Sequence, residues 1–166
     1  KAAQAIFQFF GIKCVEILKN SPYQLCKVPG FGFLRIDAIV QKNGGKLNDP
    51  ARIQAAILFT LEDNKSKHGH LYVEQESLLN EAIRLLNKKI LLVEMRIGRA
   101  QVEAQFEEMI LNGDLVVDNE NVYLPKVFEL EDETARRVAE ILCEQPPKKA
   151  IGAALESVKH DLGITL

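Results

Sequence analysis

Residues 27–40 read Lys27-Val28-Pro29-Gly30-Phe31-Gly32-Phe33-Leu34-Arg35-Ile36-Asp37-Ala38-Ile39-Val40, and they constrain the backbone more than any other stretch of this chain. Proline fixes one φ angle, and two glycines bracketing one apolar residue permit a sharp turn. The pattern predicts a tight hairpin between two short amphipathic helices. Bare amides on such a turn, followed at once by a helix N-terminus, form a natural cradle for one phosphate. Lys27 and Arg35 flank it. The leading expectation is contact with a nucleic-acid backbone, which positions the strand without reading its sequence. The competing reading is purely structural: a turn that packs two helices, with Phe31 as a core plug.

Charge distribution supports the first reading. The 166 residues carry a net charge of −2, which does not fit a freestanding, strongly basic DNA binder. Residues 1–50, however, hold seven Lys/Arg against three Asp/Glu, a net of +4. Residues 51–126 hold nine against twelve and residues 127–166 five against eight, a net of −3 in each. The cationic end is the end with the hairpin.

Hydrophobic residues make up 47% of the chain, enough for real cores. No apolar run approaches the roughly 18–20 residues of a membrane span. No secretory leader is visible, and the chain opens in a helical pattern without a methionine, as a fragment would. Cys14, Cys26 and Cys143 are odd in number, with no Cys-x-x-Cys pair. That usage predicts a reduced, cytoplasmic setting without disulfides or zinc.

The pattern is mainly helical. Helices are expected over 1–10, 13–19, 23–27 and 33–42, with Phe33, Ile36, Ile39 and Val40 as the apolar stripe of the last. Ser21 and Pro22 read as N-cap and first helical position, as do Asp49 and Pro50 for a helix over 51–64. A loop at His68–His70 enters a short strand, and helices follow over 76–86 and 100–111. Residues 88–94 are ambiguous between strand and helix. Residues 115–124 form a β-hairpin by composition. Residues 51–125 thus have the element order of a winged helix-turn-helix. A long helix over 127–143, a linker at 145–149 and a last helix over 150–161 complete the chain. The expected fold is a helix-hairpin-helix portion followed by a winged-helix-like unit with a small β-hairpin. The divisions are 1–48 for tandem hairpins, 49–145 for the winged unit and its trailing helix, and 146–166 for the rest.

Other constellations have bland explanations. Asp49 after Asn43-Gly44-Gly45 mimics the layout of some DNA glycosylases, but Asp-Pro before an apolar helix is an ordinary cap. His68 and His70 have no third ligand at suitable spacing, and a histidine bonded to the backbone of a turn is the simpler expectation. Gly44-Gly45-Lys46 lacks the spacing and the Ser/Thr of a nucleotide phosphate loop. No catalytic constellation can be assembled, so this segment is expected to be no enzyme. On the presumed recognition helix, Arg99 is followed by Glu103, Glu107 and Glu108, which would repel phosphates. Lys88, Lys89, Arg96 and Arg99 remain possible phosphate contacts at its edge.

Four runs then occur in order: Ser21-Pro22-Tyr23-Gln24-Leu25, Pro29-Gly30-Phe31-Gly32-Phe33, Asp49-Pro50-Ala51-Arg52-Ile53 and His68-Gly69-His70-Leu71-Tyr72. Together they resemble the N-terminal region of RecD/TraA-type DNA helicases, relatives of the exodeoxyribonuclease V alpha subunit, along nearly the whole chain. In that family the second run continues with a small residue, then Ala, then Asp. Here Arg35 and Ile36 fill the first two places and Asp37 is kept. Ile36 is expected to enlarge the helix–helix contact. Gly163-Ile164-Thr165-Leu166 resembles the lead-in to the adenine-contacting motif of the motor. The resemblance implies a parent helicase moving 5′ to 3′ in DNA repair or recombination, with ATP and Mg serving a motor domain beyond this segment. The implied partners are single-stranded or forked DNA, the motor domains themselves or a single-strand-binding protein, and no membrane. The DNA-binding residues expected are Lys27, Gly30, Phe31, Gly32, Phe33, Leu34 and Arg35. The alternative is a protein-docking module of the same helicase with little DNA contact.

Overall fold

The computed structural model describes residues 2–143. Its described part is mainly α, with seven α-helices and one small antiparallel sheet. By packing, the chain divides into residues 1–128 and 129–166.

Two short helices open the first unit, α1 (Ala2–Phe10) and α2 (Cys14–Asn20). Gly11, at φ +58, ends α1 in the left-handed conformation, where a glycine is least strained. A 3-10 helix, Pro22–Lys27, leads into the hairpin, and α3 (Phe33–Lys42) follows. Ser21 precedes Pro22 as expected, but its side chain makes no capping bond. On α3, Phe33 and Ile36 are buried and Val40 is half-buried, whereas Ile39 is exposed. The core-facing stripe is therefore narrower than the sequence pattern suggests. Ile36 is 2% exposed, so the larger residue does fill a helix–helix contact.

Asp49 caps α4 (Pro50–His68) by accepting from the Ala51 amide at 3.0 Å. This helix runs four residues further than its apolar pattern and stops at Gly69, φ +69. Asp49→Ala is expected to lower stability by about 1 kcal/mol, measurable as a lower urea midpoint at unchanged slope.

The remaining elements are β1 (Tyr72–Glu74), α5 (Gln75–Asn87), α6 (Arg99–Leu111), β2 (Val116–Asp118) and β3 (Asn121–Tyr123). The sheet order is β1-β3-β2, with Val73 opposite Val122 and Val117 opposite Val122. Asn119 and Glu120 form the two-residue turn between β2 and β3, both at positive φ (46 and 70), as the strand twist requires. Residues 88–94 are neither strand nor α-helix. They form an irregular loop ending in a 3-10 turn, Val93–Met95, with Leu91 and Val93 in solvent.

Helices α4, α5 and α6 pack around Ile57, Leu78, Leu79, Leu86, Val102, Phe106 and Met109. The same cluster continues through Tyr23, Leu25, Val28, Phe33 and Ile36, so one core spans residue 48 without interruption. The last helix, α7 (Pro125–Cys143), crosses the packing division at Phe128. Within the second unit Arg136 pairs with Asp132 and Arg137 with Glu133 along that helix. The expected linker, final helix and Gly163–Leu166 run lie outside the described residues.

Candidate nucleic-acid interface

The hairpin is a type II turn. The Phe31 amide donates to the Val28 carbonyl at 3.0 Å, Pro29 takes the first central place, and Gly30 takes the second at φ +85. Gly32 is extended and serves as N-cap of α3, and its carbonyl accepts from the Arg35 and Ile36 amides. The amides of Gly30, Gly32, Phe33 and Leu34 donate to no protein acceptor. They lie at the positive end of the α3 dipole. Sequence reasoning offered five amides from Gly30 to Leu34. Two of them are not open: closing the turn consumes the Phe31 N–H, and Phe33, 1% exposed, is out of solvent.

Side chains of the same segment divide by face. Phe31 is 9% and Phe33 1% exposed, so both rings are core. Lys27, Gly30, Gly32, Leu34 and Arg35 are on the surface. The Arg35 guanidinium sits over the Phe31 ring, 5.3 Å from its centroid. Among the described residues neither Lys27 nor Arg35 has a carboxylate partner within ion-pair distance. Phe31 is thus both the core plug and the platform that steadies a cation beside the open amides.

On its other side the hairpin borders α4 across a groove of about 370 Å³ that includes Glu62, Asp63 and Cys26. Asp63 is paired with Lys67 at 2.7 Å. Burial, then Glu62 and Asp37, push the Cys26 thiol up to about 11, which keeps it protonated and unreactive. Lys27, Gly30 and Gly32 line the same groove, so it carries both signs of charge.

Beneath the hairpin lies a buried polar network that sequence reasoning missed. Arg52, 3% exposed, reaches Asp37 through Nε to Oδ1 at 2.7 Å and Nη2 to Oδ2 at 3.2 Å. It also donates to the Leu47 carbonyl at 2.9 Å and the Leu86 carbonyl at 3.0 Å. The Tyr23 hydroxyl donates to Asp37 Oδ1 at 2.8 Å. Burial, then the bond to Asp37 and its charge, hold the Tyr23 phenol far above its usual range, so it stays a donor. Tyr23, Asp37 and Arg52 come from three of the four runs that carry the family resemblance. They clasp the 3-10 helix, α3, α4 and the end of α5 together behind the hairpin. The signal was an arginine directly before the largely apolar run Ile53-Gln54-Ala55-Ala56-Ile57, and an acid between the apolar residues Ile36 and Ala38 of α3.

The winged unit presents the opposite charge. Glu107 and Glu108 are exposed on α6, and Asp118 and Glu120 stand at the turn between β2 and β3. Arg99 is held by both oxygens of Glu76 and by Glu103 at 2.6 Å, which keeps the Glu76 carboxyl down at about 2. Among the described residues no group of three or more His, Cys, Asp or Glu could hold a metal. The His68 and His70 rings lie 5.5 Å apart and tilted by 36°, and neither ring hydrogen-bonds the backbone among the described residues. No described helix is long and apolar enough to cross a membrane.

This arrangement defines a helix-hairpin-helix module carried on a winged-helix scaffold. Residues 1–72 match the family model described as the ATP-dependent RecD2 DNA helicase HHH domain. The chain is similar to the ATP-dependent RecD2 DNA helicase of Deinococcus radiodurans, 24% identical over 148 residues, which is 87% of this chain and 21% of the relative. Residues 1–72 thus resemble the helix-hairpin-helix region of a RecD-type helicase. It spans about a fifth of the length of that curated relative.

Proposed function

We propose that this region grips the sugar–phosphate backbone of single-stranded or forked DNA, without sequence preference, as an accessory part of an ATP-dependent helicase. The observation that carries the reading is the set of three exposed amides at the turn and the start of α3, those of Gly30, Gly32 and Leu34, flanked by Lys27 and Arg35, which have no ion-pair partner among the described residues. Residues 1–48 supply the contact and residues 49–145 its scaffold. In this reading ATP and magnesium serve a motor elsewhere in the polypeptide. The residues described here do not fit a nucleotide, since Leu47 follows Lys46 where a phosphate loop needs Ser or Thr. Repair or recombination in the cytoplasm is the setting such a protein would have.

Lys27→Glu with Arg35→Glu is expected to weaken DNA binding by about tenfold or more, alike on all sequences, and to flatten its salt dependence. Fluorescence anisotropy across a salt series measures both. A second reading, docking of the motor or of a single-strand-binding protein, is favoured by the acidic surface of α6 and of the β2–β3 turn. Salt-insensitive binding, or binding indifferent to the two reversals, would decide for docking.

A further inference from the structure

Resting on the reading above, we infer that the same DNA strand makes a second backbone contact in the cleft between the α3–α4 turn and the loop before α6. This cleft, about 430 Å³, is bounded by Gly45–Asn48 on one side and by Glu94–Ile97 with Gln101 on the other. Lys46 and Arg96 both line it, both are exposed, and neither has a carboxylate partner among the described residues. Among the described residues, the sole side-chain bond of Arg96 is a long one from Nε to the Ile90 carbonyl at 3.5 Å, which leaves its two terminal nitrogens free. The amides of Lys46, Leu47 and Asn48 have no protein acceptor.

The turn that presents these groups is fixed. The Gly45 amide donates to the Val40 carbonyl at 3.0 Å, and a Cβ at Gly45 would overlap the Val40 side chain. The Leu47 carbonyl is held by Arg52. Two cations and three open amides converge against one carboxylate, Glu94. That set suits an oxyanion with one bridging charge, such as a phosphodiester. The winged unit then meets DNA through the loop before its recognition helix, while the acidic faces of α6 and of the strand turn stay away from it.

The spacing fits a single strand held at two points. The open amides lie at the start of α3 and the cleft at its end. Ten residues at 1.5 Å each separate them by about 15 Å, a span that a few nucleotides of one strand can bridge.

The test uses the whole 166-residue chain and a labelled oligothymidine. Lys46→Gln with Arg96→Gln is expected to weaken binding several-fold, with the slope of log K against log salt falling by about 1.4 for two lost single-strand contacts. Glu94→Gln is expected to tighten binding about two- to threefold, a gain that misfolding cannot produce. An unchanged slope in the double variant, with no gain from Glu94→Gln, overturns the cleft contact. If reversing Lys27 and Arg35 still weakens binding in that case, the hairpin reading stands alone. Absence of binding by the unaltered chain at low salt overturns both.

Discussion

Arg52→Ala is expected to destabilise the fold by about 3–5 kcal/mol, enough to unfold much of the population of a domain whose total stability is about 5–15 kcal/mol. The loss has two parts. Half-buried Asp37 would lose its two guanidinium bonds at 2.7 and 3.2 Å and keep only the Tyr23 hydroxyl. The Leu47 and Leu86 carbonyls would lose their donor as well. Removing both charges together should cost less, because a buried ion pair replaced by apolar groups of similar volume leaves no unpaired charge. Asp37→Leu with Arg52→Met is therefore expected to be milder than Arg52→Ala alone. Urea unfolding at constant slope measures both; a loss below about 1 kcal/mol for Arg52→Ala would mean that the network does not hold the hairpin.

Phe33→Ala is the second large effect, also about 3–5 kcal/mol. The ring is 1% exposed and lies between Tyr23, at 6.2 Å between centroids, and Phe59, at 5.9 Å. Its removal opens a cavity where the 3-10 helix, α3 and α4 meet, directly under the open amides. Phe33→Leu keeps most of the volume and should cost less than half as much. Calorimetry on the two variants separates cavity formation from loss of an aromatic contact. If both cost the same, the packing of the ring is not what anchors this corner.

Most of the fold was legible because its signals are local. Pro29-Gly30 and Asp49-Pro50 act through one or two dihedral angles and one capping bond, and both did so where expected. The order of elements from α4 to β3 followed from periodicity and from the polar turn at Asn119-Glu120. What stayed hidden was non-local. Ile39 fits the helical stripe of α3 yet faces solvent, because α4 covers only the Phe33–Ile36 side. Residues 90–95 are apolar enough for a buried strand, but they pair with no strand of the β1-β3-β2 sheet and stay largely in solvent.

The candidate site divided in the same way. Glycine-bracketed amides could be foreseen at Gly30 to Leu34, whereas the closing of the Phe31 N–H depends on which turn type forms. Tyr23, Asp37 and Arg52 lie 14 and 15 residues apart in sequence, and nothing in spacing alone announces that they meet.

The pairing of β1 with β3 has a practical corollary for anyone trimming this polypeptide. Residues 72–74 find their strand partners only at 121–123, and the Gln75 amide is satisfied by the Glu120 carbonyl at 2.8 Å. Arg52, likewise, leans on Leu86. Scissors applied at residue 72, where the family match ends, would strip both supports, so a self-sufficient piece has to run at least to Phe128.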